Sequence, residues 1–173
     1  MELSKYVACI CEGTAEQVIV EKLLDAERLI FTEEDLLDGE LIRTRGAAAF
    51  EQRYLRKGFQ DKVTVARILD SRRENFKISK AYEHKIAAVY NIITAPEIEI
   101  LIILNEGRYD AYKRSRKKPS DYCKEDLKMS DVKSRKFVEN YFSDENCLVT
   151  AIKEYRRVSN IPAGEYTLCD LLK

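Results

Sequence analysis

The sequence predicts an α/β fold, with a largely parallel sheet flanked by helices and a helical part toward the C-terminal end. Three features predict it: apolar, β-branched runs of strand length, segments with helical spacing between them, and a shift to short charged helices beyond residue 115. Strands that alternate with helices form parallel sheets, because each helix carries the chain back to the same end of the sheet. A chain of 173 residues is expected to form one domain with a buried core.

The first part of the chain supplies the strongest strand and helix signals. Residues 5–11 read as a fully buried strand, and a helix is expected over 14–26, with Thr14 as its N-cap. Weaker patterns predict short strands at 29–31 and 40–45. The following segments predict a helix at 46–59, a strand at 62–69, a helix at 78–86 and a strand at 88–94.

The segment 96–107 is apolar enough to be either a buried strand or a buried helix. Pro96 at a first helical position, two glutamates in the first turn and Gly107 at the end favour the helix. Residues 113–119 read as a basic loop or a frayed helix end. The rest of the chain predicts short helices at 122–127, 134–142 and 144–158, and an apolar closing segment at 168–172.

Composition excludes several classes of protein. The 30 basic and 30 acidic residues cancel, so that only local clusters of charge could steer the chain toward nucleic acid or a membrane. The five cysteines form no C-x-x-C pair, and His84 is the sole histidine, which argues against a disulfide framework, a zinc ribbon and a Ser-His triad. We expect a reducing, cytoplasmic setting and no contact with a membrane, since no apolar run approaches about 20 residues.

Acidic residues follow each of the three strong strands. Because parallel strands end at the same edge of a sheet, these side chains are expected to converge there. They are, in chain order, Glu12, Glu16, Asp70, Glu74, Glu97 and Glu99. Each carboxylate is a candidate ligand for a hard cation such as Mg²⁺ or a candidate acid/base group. The other interpretation is that each one caps amides and complements a helix dipole.

Three short motifs resemble a known family. The run Glu12-Gly13-Thr14-Ala15-Glu16 after an apolar strand is similar to the E-G-x-x-E opening of Toprim domains, specifically the small RloB-like and OLD-type proteins of bacterial phage defence. Ile68-Leu69-Asp70 resembles the start of their D-x-D motif, and Ala95-Pro96-Glu97 their later proline and acidic helix start. The resemblance implies a Toprim-like core over residues 1–115 and a helical extension over 116–173 packed on the same domain.

The resemblance implies a nuclease dependent on Mg²⁺ or Mn²⁺. Glu12 and Asp70 would be its catalytic residues, with Glu12 as general acid/base. The implied metal ligands are Glu12, Glu16, Asp70, Glu74 and Glu97. The family further implies nucleic acid as substrate and a protein partner from a defence operon. Arg72 stands where D-x-D has its second acid. The alternative is therefore a non-catalytic scaffold of the same fold that binds nucleic acid or a protein partner.

Two groups of basic residues are candidates for phosphate contact. The first group surrounds Asp70 and consists of Arg67, Arg72, Arg73, Lys77 and Lys80. Arg72 and Arg73 leave the same strand end as the acids, where the group could hold phosphates or form ion pairs with nearby glutamates. The basic run 113–118 lies among tyrosines and could follow a nucleic-acid backbone. Its candidate contacts are Arg114, Arg116 and Lys117. The other interpretation of this run is a solvated helix end.

Overall fold

The computed structural model describes residues 1–72 and 74–173 of the chain. Its centre is a parallel sheet in the order β1-β2-β3, formed by β1 (Tyr6–Cys11), β2 (Val63–Leu69) and β3 (Ile86–Ile93). The register pairs Ala8 with Val65 and Val65 with Val89. The predicted α/β class and the three strong strands are thereby confirmed, with β3 shifted slightly toward the N-terminus.

The burial of the strands follows from their residues. All seven residues of β2 are buried, as expected of a central strand covered on both faces. Two of these residues, Thr64 and Arg67, are polar and need partners inside the fold. The strand β3 lies at the edge, and its first six residues alternate between half-buried and exposed.

Seven α-helices occur among the described residues. They are α1 (Thr14–Asp25), α2 (Ala47–Phe50), α3 (Ile100–Asn105), α4 (Tyr109–Ser115), α5 (Pro119–Glu125), α6 (Arg135–Tyr141) and α7 (Glu145–Val158). A π-helical turn (Glu51–Leu55) continues α2. The segment 96–107 contains a helix rather than a strand, but α3 begins only at Ile100, and its residues from Ile100 to Leu104 are buried. The prediction that Pro96 occupies the first helical position is wrong, because the N-cap of α3 is Glu99.

Two apolar cores lie against the sheet. The larger contains residues of α1, α3, α5, α6 and α7 together with one face of the strands. The smaller contains Phe50, Tyr54, Leu55 and Ile78 against the other face. Because α3 packs on both α5 and α7, the C-terminal helices share the larger core with the sheet.

Three sequence predictions of secondary structure are wrong. Residues 29–31 and 40–45 do not form strands; each segment makes one isolated bridge, between Leu29 and Leu172 and between Ile42 and Ile10. Residues 78–86 contain only a 3-10 turn, Glu83–Lys85. The segment is anchored at its start by a long-range contact, in which the Glu51 carboxylate accepts hydrogen bonds from the Ser79 amide (2.6 Å) and hydroxyl (3.0 Å).

None of the helices among the described residues combines the length and apolar character that a bilayer crossing requires.

Candidate functional site

A cavity of about 400 Å³ lies at the carboxyl end of the sheet. Six carboxylates and two cationic side chains contribute to its lining: Glu12, Glu16, Asp70, Glu74, Glu97, Glu99, Arg45 and Lys133. The structure therefore brings together every acidic residue that the sequence singled out. Whether these residues bind a metal or act in catalysis stays a prediction.

Parallel topology is what gathers these acids. Glu12 directly follows β1 and Asp70 directly follows β2, and the two strands run side by side in the same direction. The chain after β3 is tied to the end of β2, because the amide and hydroxyl of Thr94 both donate to the Leu69 carbonyl at 2.7 and 3.0 Å. Glu97 follows three residues later and so lies at the same edge.

The turn between β1 and α1 is approached closely by the side chain of Glu16. The N-cap of α1 is Gly13 in an extended conformation, which corrects the prediction that Thr14 caps the helix. A Cβ atom on Gly13 would clash with Oε2 of Glu16, whose side chain folds back over the turn. Burial raises the pKa of Glu16, its own backbone amide opposes that rise, and the charge of Asp70 adds to it.

One side of the cavity is organised by a buried arginine. Arg67 lies in the middle of β2, and its side chain is only 1% exposed. Its guanidinium donates to Glu74 at 2.9 Å and to the Asn91 side chain at 3.3 Å, and it lies 3.5 Å from Oε1 of Glu12. Its guanidinium carbon is 4.5 Å from the centre of the Phe76 ring. We call Glu12, Glu74, Arg67 and Arg45 the arginine-paired side.

On the arginine-paired side, Glu12 has a raised pKa. Burial, followed by a hydrogen bond and charge repulsion from Glu74, raises the pKa of Glu12 to about 6, although Arg67 and Arg45 act in the opposite direction. Its Oε1 atom is buried without a hydrogen-bond partner among the described residues. Glu12 can therefore exchange a proton close to neutral pH, while its Oε1 atom faces the guanidinium of Arg67 without a hydrogen bond.

The opposite side of the cavity is organised by a lysine. Glu97 accepts hydrogen bonds from the Ser120 amide at 2.9 Å and from Nζ of Lys133 at 3.0 Å. Burial works against ionisation of Glu97, but these hydrogen bonds prevail and hold its pKa below the ordinary value. We call Glu16, Glu97, Glu99 and Lys133 the lysine-held side.

Glu99 is the most deeply buried acid of the cavity, with 3% of its surface exposed. Burial raises its pKa to about 7, its own backbone amide and Lys133 oppose the rise, and the charges of Glu97 and Glu16 add to it. The lysine-held side thus carries more acid groups than its single cation balances.

Lys133 is a residue that sequence reasoning missed. It lies in the loop before α6, far along the chain from the strand ends and from every motif. Arg67 was recognised as a basic neighbour of Asp70, but its burial and its two carboxylate partners were not. Strand position alone predicts neither contact, because both depend on the tertiary packing of distant segments.

The lining offers the oxygen atoms that a hard cation takes as ligands, but the described side chains are not arranged around one ion. All six acids offer oxygen atoms, which Mg²⁺ prefers, and Mg²⁺ needs only one or two carboxylates besides water and phosphate. Within residues 1–72 and 74–173, no three Asp, Glu, His or Cys side chains are arranged to hold one ion. Arg67 and Lys133 supply the positive charge next to the carboxylates instead.

The basic residues predicted to hold phosphate, as far as the structure describes them, do not line the cavity. Arg72 donates to both oxygens of Glu165 at 3.1 and 2.8 Å, which is the ion-pair interpretation. Lys117 pairs with Glu125 and Asp126 at 2.9 and 2.5 Å. Lys77, Arg114 and Arg116 are exposed, and Arg73 lies outside the described residues.

None of these five described residues appears among the described side chains that line the cavity. Whether they bind phosphate stays a prediction.

Comparison with known proteins finds no matching family model, no matching curated protein and no matching solved structure.

Proposed function

We propose that the acidic cavity is the active site of a Toprim-type nuclease that cleaves phosphodiester bonds with the help of Mg²⁺ or Mn²⁺. The observation that supports this proposal is the convergence of carboxylates from the ends of all three parallel strands on one cavity. Open α/β sheets bind their ligands at this edge. The three Toprim-like motifs place their acids there as well, namely Glu12, Asp70 and Glu97.

In this proposal each side of the cavity has its own task. Glu12 serves as general acid/base, since its pKa of about 6 lets it accept and return a proton near neutrality. Arg67 positions Glu12 from the buried strand. One or two of Glu16, Asp70 and Glu97, together with water and substrate phosphate, would hold the cation, which when bound supplies charge stabilisation and an activated water.

Arg45 is the side chain best placed to meet a substrate phosphate. It lines the cavity, lies 3.7 Å from Oε2 of Glu12, and its side chain is 82% exposed. An arginine at the mouth of an acidic cavity can offset the repulsion between the carboxylates and a phosphodiester.

The Toprim resemblance also supports a role in anti-phage defence together with a protein partner.

The second candidate is a non-catalytic protein of the same fold that binds nucleic acid or a partner. The observation that favours it is the existing charge pairing of the cavity: Arg67 already contacts Glu12 and Glu74, and Lys133 contacts Glu97. Arg72, at the second acidic position of D-x-D, pairs with Glu165 instead.

A cleavage assay separates the two candidates. The purified chain is incubated with single- and double-stranded DNA and RNA in Mg²⁺, in Mn²⁺ and in EDTA. We expect cleavage that requires the cation and that falls by about 100-fold or more in Glu12→Gln, because acid/base groups contribute on that order. The exposed Glu2→Gln is the matched control and should leave the rate unchanged.

Nucleic-acid binding without cleavage by the unmodified chain would support the second candidate instead. Cleavage that survives in Glu12→Gln would remove Glu12 from the acid/base role.

A further inference from the structure

We propose that Lys133 is a built-in counter-ion of the lysine-held side, which a divalent cation must displace from Glu97 in order to bind. This inference deepens the proposed function, because it states what controls cation binding at that same cavity. It makes Lys133 a residue that sets cation affinity rather than a ligand or a catalytic group.

Among the described residues, Lys133 forms one ion pair, with an acid of the cavity. Its Nζ lies 3.0 Å from Oε1 of Glu97. The charges of Glu99, Glu97 and Glu16 all act on the ammonium and raise its pKa, against the opposing effect of burial. The ammonium therefore already provides the positive charge that a metal ion would provide for these carboxylates.

The backbone that carries Lys133 is fixed, whereas its side chain is free to leave. Val132 is buried beside it, and the hydroxyl of Ser134 caps α6 by accepting from the Phe137 amide at 3.2 Å. The Lys133 side chain itself is 59% exposed, so that a rotation of its flexible stem takes the ammonium into water.

Release of Lys133 would expose an oriented carboxylate. Oε2 of Glu97 stays on the Ser120 amide at 2.9 Å, which holds the group in place, while Oε1 becomes available. Replacement of the singly charged ammonium by a divalent cation would also balance the negative charges of Glu16 and Glu99 more fully. Competition between the ammonium and the cation follows, since both cannot occupy the space beside Oε1.

Calorimetric titration of the full chain with Mn²⁺ tests the inference. Lys133→Met should bind Mn²⁺ about tenfold more tightly than the unmodified chain, because removal of a nearby positive charge favours a second cation by roughly that order. Lys133→Gln is a second neutral variant with the same expectation, and Lys133→Arg should retain the weak binding. The matched control is Lys136→Met, which removes an exposed lysine three residues away.

Unchanged or weaker Mn²⁺ binding in both neutral variants, with thermal unfolding that shows each to be folded, would overturn the inference. An equal gain in Lys136→Met would overturn it too, by showing that only overall charge matters. No arm measures cleavage. If Lys133→Met binds Mn²⁺ more tightly and the unmodified chain cleaves no nucleic acid, the proposed nuclease function is contradicted and the role of Lys133 in cation affinity is supported.

Discussion

The two sides of the cavity neutralise their carboxylates in opposite ways. On the arginine-paired side the cation is buried in the central strand, with 1% of the Arg67 side chain exposed. On the lysine-held side the cation comes from a loop, with 59% of the Lys133 side chain exposed. The first arrangement is part of the folded core, and the second is a contact at the solvent-exposed edge of the cavity. We therefore expect the two ion pairs to differ in their contribution to stability and in how readily their cations can move away.

Removal of the buried cation should give the largest effect on stability. Arg67→Met leaves Glu12 and Glu74 beside a buried apolar side chain, and loss of one partner of a buried ion pair typically costs about 3–5 kcal/mol of unfolding free energy. Lys133→Met should cost less than about 1 kcal/mol, because exposed ion pairs contribute little. Urea unfolding at pH 8 measures both.

The pH dependence of the unfolding free energy gives a second test of the buried ion pairs of Arg67. The cost of Arg67→Met should shrink below pH 6, because Glu12 then takes up a proton and no longer needs a partner. The double variant Arg67→Met/Glu74→Gln is the control and should recover part of the lost stability. Equal costs for Arg67→Met and Lys133→Met would contradict the distinction between the two sides.

Removal of an acid from the lysine-held side should increase the unfolding free energy, whereas removal of Arg67 should lower it. The pKa of Glu99 is about 7 in the folded chain, against an ordinary value of 4.5. Since the folded state favours the protonated form, its stabilising effect is complete below about pH 4.5 and is lost as the pH rises through 7. Glu99→Gln, which cannot ionise, should therefore be more stable than the unmodified chain at pH 8 by about 3 kcal/mol.

Urea unfolding of Glu99→Gln at pH 4 and pH 8 measures this effect, and the two proteins should differ little at pH 4. Glu2→Gln serves as an exposed control that should shift stability at neither pH. A Glu99→Gln variant that is less stable at pH 8 would show that Lys133 compensates Glu99 fully and that the two sides are alike in charge balance.

The parts of the fold that could be predicted are those with local causes. The strands β1 and β2 are apolar over their whole length, and parallel topology alone then carries Glu12 and Asp70 to one edge. Gly107 marks the end of the α3 region because its positive φ of 63° is a local property of glycine.

What could not be predicted depends on contacts between distant residues. Glu51 accepts hydrogen bonds from Ser79 across 28 positions, a contact that the helical spacing of residues 78–86 does not reveal. Lys133 reaches Glu97 across 36 positions from a loop without a motif. The sequence therefore indicates the acids and places Arg67 near Asp70, but it does not show that Arg67 is buried against Glu12 and Glu74 or that Lys133 belongs to the cavity.

The smallest effect on stability should come from Gly13→Ala, which probes the lysine-held side through its backbone. Gly13 has φ of −102°, which alanine adopts without strain, so the loss should stay below about 1 kcal/mol, the usual effect at an N-cap. Its Cβ would nevertheless push the Glu16 carboxylate away, and we expect Mn²⁺ affinity in calorimetry to fall several-fold. Gly46→Ala is a matched control, because Gly46 is also an extended N-cap glycine and has no atom within 4 Å of its added Cβ. An equal loss of affinity in both variants would assign the effect to helix capping, whereas a loss confined to Gly13→Ala would place Glu16 among the groups that receive the cation.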